Sequence, residues 1–342
     1  MIRVLVVDDS AVMRGMMSSI IGAQSDMTVV GLASDPVVAM ERLRIARPDV
    51  ITLDVEMPRM DGLEFLRRLM QSQPLPVVMV SSLTARGADT TLRALELGAV
   101  DFVAKPHLAT PDILEAYAEE VAQKVRAAAS ARVALAGRPP PPERLAAGRL
   151  VTNKLIVIGA STGGVEALRE VLVPLPAAMP PILVAQHMPA GFTASFARRL
   201  DSLCEINVKE AEDREPIRPG CAYIAPGGMH MTAAASGGRL EARLSLDPPV
   251  NRHRPSVDTL FRSAARAAPG RCIGVMLSGM GADGAHAMRE LRETGAHNIA
   301  QNEASCVVFG MPKQAIAENA VHEVLPLGDI ARRLVELSLA AA

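Results

Sequence analysis

The chain is 342 residues long and 49% hydrophobic, enough for about two domains with real cores. Its net charge of −1 offers no overall field for nucleic acid or anionic membrane, and zero Trp, two Tyr and six Phe argue against base-stacking platforms. No apolar run reaches bilayer-spanning length, the four cysteines (Cys204, Cys221, Cys272, Cys306) form no C-x-x-C pair, and "MIRVLVVDDS" puts acids where a signal peptide keeps its apolar stretch, so a soluble, cytoplasmic protein without structural zinc is expected.

Residues 1–126 alternate strand and helix signals. Apolar runs fall at 4–7, 28–32, 50–53, 77–80 and 100–104, with amphipathic segments such as 62–70 and 90–98 between them. Five βα units predict a five-stranded parallel sheet with helices on both faces. Residues 127–151 include four consecutive prolines, which stop a helix and favour a stiff, extended linker.

From 152 to 342 the rhythm restarts, with strand candidates at 155–159, 182–186, 221–225, 272–277 and 297–301. One interruption, "HMTAAASGGRLEARLSL" (230–246), has a turn signal between extended stretches and predicts a hairpin. The second domain is therefore expected to be doubly wound, mostly parallel α/β with an added hairpin.

Chemistry-bearing residues gather at predicted strand ends. Asp8 and Asp9 end the first strand, Asp54 the third, Ser81 the fourth and Lys105 the fifth. In an open parallel sheet these ends share one edge, where ligands bind. Three carboxylates there suit a hard, oxygen-seeking cation such as Mg²⁺, and the lysine can pair with a phosphoryl group.

"VLVVDDS", "ITLDVEMPRMDG", "VVMVSS" and "DFVAKP" resemble the receiver domain of two-component response regulators, which has a flavodoxin-like fold. The resemblance implies that Asp54 takes a phosphoryl group from a histidine kinase. It implies Mg²⁺ held by Asp9 and Asp54, by Asp8 through water and by the Glu56 carbonyl. Ser81 and Lys105 would contact the phosphoryl oxygens. Phe102 stands where such domains often carry an aromatic switch residue.

In the second domain "GASTGG" (159–164) follows a strand and precedes a helix, and Ser161 satisfies G-x-S-x-G. His187 ends the next strand and Asp283 lies just past another. All three fall at carboxyl ends of parallel strands, as a Ser–His–Asp triad requires. The order Ser…His…Asp differs from that of the α/β-hydrolases. "GMGADG" (279–284) opens a rival reading. Gly279, Gly281 and Gly284, with Glu303 downstream, match a dinucleotide-binding pattern. Against it, Asp283 would put negative charge where a pyrophosphate should sit. A third reading is a response regulator whose second domain only binds partners; no basic recognition helix stands out for DNA.

"GASTGG", "QHMPAGFTASFARRL", "AYIAPGGMH", "NRHRPSVDTLF" and "LSGMGADGAHAM" together resemble the catalytic domain of the CheB family of chemotaxis protein-glutamate methylesterases. The resemblance implies Ser161 as nucleophile, His187 as base, Asp283 as its orienting acid, and the Met280 amide as an oxyanion donor. The implied substrate is a glutamate γ-methyl ester on a chemoreceptor, with receptor glutamine as a second substrate and no cofactor for the esterase. The fusion to a phosphoacceptor domain suggests that the unphosphorylated receiver covers the esterase rim. Arg252, His253 and Arg254 read as a solvated charge run or a contact for an acidic helix, His230 as structural or cleft-lining, and Thr162 as site-shaping or a helix cap.

Overall fold

A computed structural model of the chain describes residues 1–57, 61–82, 84–106, 110–131, 144–145 and 153–339. The chain divides into two compact units, Met1–Arg138 and Pro139–Ala342. The first contains β1 (Ile2–Val7), α1 (Ala11–Gly22), β2 (Met27–Ala33), α2 (Pro36–Ala46), β3 (Val50–Asp54), α3 (Gly62–Ser72), β4 (Val77–Ser81), α4 (Ala85–Glu96), β5 (Asp101–Ala104) and α5 (Pro111–Ser130). Its strands form one parallel sheet in the order β2-β1-β3-β4-β5. Every residue of β3 and β4 is buried, which is why these strands read as continuous apolar runs rather than as alternation. Carboxylates start two of the helices. Asp35 accepts the Val37 and Val38 amides at α2, and Asp61 the Glu64 amide at α3. The expected linker at 127–151 lies mostly outside the described residues; its first four residues are the last turn of α5.

The second unit contains β6 (Leu155–Ala160), α6 (Gly164–Leu172), β7 (Ile182–Gln186), α7 (Phe192–Asp201), β8 (Asn207–Glu210), β9 (Cys221–Ile224), β10 (His230–Ser236) and β11 (Arg239–Ser245). It continues with α8 (Val257–Ala267), β12 (Cys272–Met276), α9 (Ala285–Glu293), β13 (His297–Gln301), α10 (Met311–Ala317), β14 (Glu323–Leu325) and α11 (Leu327–Leu337). Seven strands form a parallel sheet ordered β14-β13-β12-β6-β7-β9-β8. The expected hairpin is β10 with β11, antiparallel around Gly237 and Gly238, whose φ angles of 56° and 79° suit glycine. It is a separate two-stranded ribbon rather than part of the large sheet. It packs on α8, where the Ser263 hydroxyl accepts the Ala233 amide at 3.0 Å. Val257, Leu260, Phe261 and Ala264 of α8 enter the same apolar core as Met276, Ala285 and Met288.

The strand order places a switch point at β6. The chain leaves β6 towards β7 on one side and returns to β12 on the other. In such sheets the crevice outside the carboxyl ends at the switch is the place for a ligand. "GASTGG" follows β6, and residues 278–283 follow β12.

Candidate active site

Ser161 leaves β6 on a tight turn whose main chain is tied on both sides. Its amide donates to the Ser278 carbonyl at 3.0 Å; its carbonyl accepts the Gly164 amide at 2.7 Å and Gln186 Nε2 at 3.0 Å. The same Gln186 nitrogen donates to the His187 carbonyl at 3.2 Å, and the His187 amide donates to the Ala160 carbonyl at 3.1 Å. The nucleophile candidate and the histidine are thus stitched together through their backbones. The glycines serve this geometry. Gly163, at φ 76°, turns the chain into α6, and a methyl group on Gly164 would collide with Gln186 and Ala160. On the facing loop a methyl on Gly279 would press on Ser161 and Met311.

His187 Nε2 lies 2.8 Å from Asp283 Oδ2. Asp283 is buried, and its carboxylate gathers four further hydrogen bonds. Oδ2 accepts the Val257 amide at 2.7 Å; Oδ1 accepts Ser256 Oγ and Asn251 Nδ2 at 2.8 Å each and the Asp258 amide at 3.3 Å. Three of these donors belong to the start of α8, whose free amides and dipole favour an anion. Burial by itself would raise the Asp283 pKa, but the hydrogen bond and charge of His187, with the Asn251 and Val257 donors, take it down to about 2. An ionised carboxylate only accepts, so the proton of the neutral imidazole sits on Nε2 and the lone pair on Nδ1. Nδ1 is buried and has no hydrogen-bond partner among the described residues, including the Ser161 hydroxyl. The ring of His253 stacks on that of His187, with centroids 3.7 Å apart and planes within 10°.

The loop after β12 is held by the 308–311 segment. Gly279 donates to the Val308 carbonyl and accepts from the Gly310 and Met311 amides. The Met280 amide donates to no group among the described residues. At α9 the Ala287 amide donates to Asp258 Oδ1 at 3.0 Å, so a carboxylate already occupies the helix end that a pyrophosphate would need. The acid at that end is Asp258. Asp283, assigned there by sequence distance, turns instead to α8. A side chain on Gly284 would strike Val257 and Met276, so this glycine allows α8 and α9 to approach. The occupied helix end and the packing at Gly279 and Gly284 count against the dinucleotide reading of Gly279, Gly281, Gly284 and Glu303.

The charge run divides. Arg254 Nη1 reaches back to the Leu246 and Asp247 carbonyls, His253 lies on His187, and Arg252 is exposed. His230 is buried between the Ser256 amide and the Pro248 carbonyl, a structural position. Thr162 is buried, and the cap position of α6 is taken by Gly163.

In the first unit, carboxylate oxygens of Asp8, Asp9 and Asp54 lie within 4.8 Å of one another. Lys105 Nζ is 2.8 Å from Asp54 Oδ2 and 3.5 Å from Asp8 Oδ2. Burial raises the Asp54 pKa to about 6; Lys105 opposes this and the Asp8 charge adds to it. Burial likewise raises Asp8, against the pull of Lys105. Asp8 Oδ2 is buried with no hydrogen-bond partner among the described residues, its ion-pair contact with Lys105 aside. Clustered oxygen ligands, raised carboxylates and an unsatisfied buried oxygen fit a hard divalent cation. The Glu56 amide donates to Asp54 Oδ1 at 3.3 Å, which brings residue 56 beside the cluster. Ser81 is fully buried. Its hydroxyl accepts from Thr91 Oγ1 at 2.7 Å and reaches the Gly87 and Ser82 carbonyls, so its observed bonds go to α4 and the adjoining loop rather than to the acids. Phe102 is buried under Lys124 Nζ, 4.9 Å from the ring centre.

Residues 156–334 match the family model described as CheB methylesterase, and residues 4–118 match the response regulator receiver domain. The chain is 57% identical, over 98% of its length and 95% of the relative's, to protein-glutamate methylesterase/protein-glutamine glutaminase 2 of Cupriavidus pinatubonensis. It is 56% identical to the protein-glutamate methylesterase/protein-glutamine glutaminase of Salmonella typhimurium, over 98% and 96% of the two chains. The crystal structure of the Thermotoga maritima CheB methylesterase catalytic domain aligns over 55% of this chain and 100% of that one, with 44% identity and a TM-score of 0.54.

Proposed function

Because the chain belongs to the CheB methylesterase family, with a receiver domain ahead of the catalytic one, we propose that Ser161, His187 and Asp283 hydrolyse glutamate γ-methyl esters on a chemoreceptor. The activity is that of a protein-glutamate methylesterase and protein-glutamine glutaminase. The observation that carries the residue assignment is the 2.8 Å bond from His187 Nε2 to Asp283, with Nδ1 buried and unpartnered among the described residues.

Ser161 Oγ attacks the ester carbonyl while His187 Nδ1 takes its proton. A new C–O bond forms and the carbonyl electrons move onto oxygen. The Met280 amide, which has no other partner among the described residues, and the amides at the start of α6 stabilise that oxyanion. Collapse breaks the bond to methoxide, His187 returns its proton, and methanol leaves. Water, deprotonated by His187, then attacks the acyl-serine and frees glutamate and Ser161. With glutamine the same steps release ammonia. Asp283 stays ionised and stabilises the imidazolium. The Oγ–Nδ1 bond absent from the resting geometry forms when substrate is bound, as such bonds often do. Ser161→Ala in the full chain should abolish methanol release while leaving the circular-dichroism melt intact; retained turnover would remove the assignment.

Asp54 is the phosphoryl acceptor, and a histidine kinase of the chemotaxis type is the donor. Asp8, Asp9, Asp54 and the Glu56 carbonyl would hold Mg²⁺, which neutralises the acids and supplies a positive charge for phosphoryl oxygens. Lys105 pairs with the phosphoryl group, and the Ser81 hydroxyl leaves Thr91 to meet it. Phosphorylation raises esterase activity. A small phosphodonor with Mg²⁺ should speed methanol release by the native chain and not by Asp54→Ala; equal responses would refute this control.

A further inference from the structure

Residues 250–253 form a two-residue turn closed by both main-chain hydrogen bonds. The Val250 amide donates to the His253 carbonyl at 3.1 Å and the His253 amide to the Val250 carbonyl at 2.9 Å. Its central residues, Asn251 and Arg252, have φ of 51° and 67°. Both are left-handed, as a type I′ turn requires, and neither is glycine. Such backbone is retained where something else requires the side chain.

The requirement at Asn251 is visible. Its side-chain nitrogen donates to Asp283 Oδ1 and to Asp258 Oδ2, each at 2.8 Å. Asp258 in turn accepts the first-turn Ala287 amide of α9, and Asp283 accepts the first-turn amides of α8. Each acid therefore serves the other's helix, and one amide nitrogen lies between the two carboxylates. Two residues along the same turn, His253 stacks on the His187 ring. The turn thus touches both members of the His187–Asp283 pair, the carboxylate through Asn251 and the imidazole through His253.

Residue type completes the argument. Asparagine tolerates the left-handed region and also supplies two N–H donors. Glycine would give the backbone without the donors. Aspartate would aim a third carboxylate at two others.

We infer that Asn251 is a positioning residue of the esterase: its amide fixes the Asp283 carboxylate, screens it from Asp258, and so sets the orientation of the His187 imidazole. The inference rests on the roles given above to Ser161, His187 and Asp283. It assigns Asn251 no contact with substrate, so the effect belongs in kcat.

The test uses the full chain and a peptide carrying a glutamate γ-methyl ester, with Asn251→Gly, Asn251→Asp and Ser161→Ala as variants. Glycine meets φ 51° without strain, so Asn251→Gly removes the amide and keeps the turn. Removing a donor to an ionised carboxylate should lower kcat about tenfold, with KM within about twofold of the native value. Asn251→Asp should lower kcat further. The low-field proton resonance of His187 Nε2–H should move in both variants. Native kcat in Asn251→Gly overturns the inference, as does a loss confined to KM, or a fall in kcat with an unmoved resonance. Turnover surviving in Ser161→Ala is a separate failure, of the proposed function itself, whatever the Asn251 variants do.

Discussion

Asp283→Asn is the most informative single change in the catalytic unit. The native carboxylate accepts five hydrogen bonds, from His187, Val257, Ser256, Asn251 and the Asp258 amide. An asparagine of the same shape has one acceptor oxygen, and its NH₂ must face donors whichever way it turns. If the NH₂ faces His187, the ring moves its proton to Nδ1 to accept from it. Nδ1 then has no lone pair for the Ser161 proton. A misassigned tautomer in such a pair costs about 10⁴ in kcat, or about 5 kcal/mol of transition-state stabilisation. Stability should fall as well, with a defined pH dependence. The Asp283 pKa drops from 3.8 to about 2 on folding, a depressed acid. Its contribution, roughly 2 kcal/mol, is present above pH ~4 and lost as pH falls towards ~2. Methanol release from a methyl-esterified receptor peptide, with thermal melts at pH 7 and pH 2.5, reads both effects. A kcat within about tenfold of native would refute the tautomer argument. An Asn variant as stable as the native chain at pH 7 would refute the carboxylate's role at the start of α8.

Three other outcomes follow from specific contacts. Asp54 is raised to about 6 by burial, so its ionisation opposes folding near neutrality, and that opposition disappears as pH falls below ~4. Asp54→Asn should therefore raise the melting temperature by several degrees at pH 7 without Mg²⁺ and not at pH 4, as read by calorimetry. Added Mg²⁺ should stabilise the native chain more than Asp54→Asn; equal gains would count against the acidic cluster as the ion's site. Gly279→Ala should displace Ser161 or Met311 and lower kcat by about 10²-fold, since an ångström of misplacement is that costly; native kcat would show that the loop accommodates a methyl.

Much of the fold could be read from apolar runs. β3, β4, β6, β7 and β12 are buried along their whole length, so each stands out as an unbroken hydrophobic stretch between turn signals. The two strands with no sustained apolar run lie at the sheet edges. β8 is "NVKE", half of it charged, and β14 is "EVL", three residues long with Val324 exposed; edge strands this short need little burial and give no sustained apolar run. The second-domain candidates Ser161, His187 and Asp283 were visible as polar residues at strand ends. Asn251 and Asp258 were not. Asn251 lay in a charge run that resembles any solvated loop, and Asp258 sits inside an amphipathic helix as an ordinary first-turn acid. Their significance depends on which helix N-terminus each carboxylate faces, and chain distance does not encode that. By chain distance Asp283 belongs to α9; in space it belongs to α8.

Local sequence determined the alternation of strands and helices, the parallel sheets and the residue types at their carboxyl ends. Periodicity, turn chemistry and chain chirality act over a few residues, so these features are written locally. The tertiary structure decided which groups meet. It brought Ser161 and His187 together through Gln186, turned the Nε2 proton of His187 to Asp283, and left Nδ1 and the Met280 amide without partners among the described residues. It also closed a left-handed turn over the pair. Those arrangements come from strand order and helix packing between segments up to about a hundred residues apart, where the energy of a contact depends on three-dimensional approach and not on neighbours in the chain.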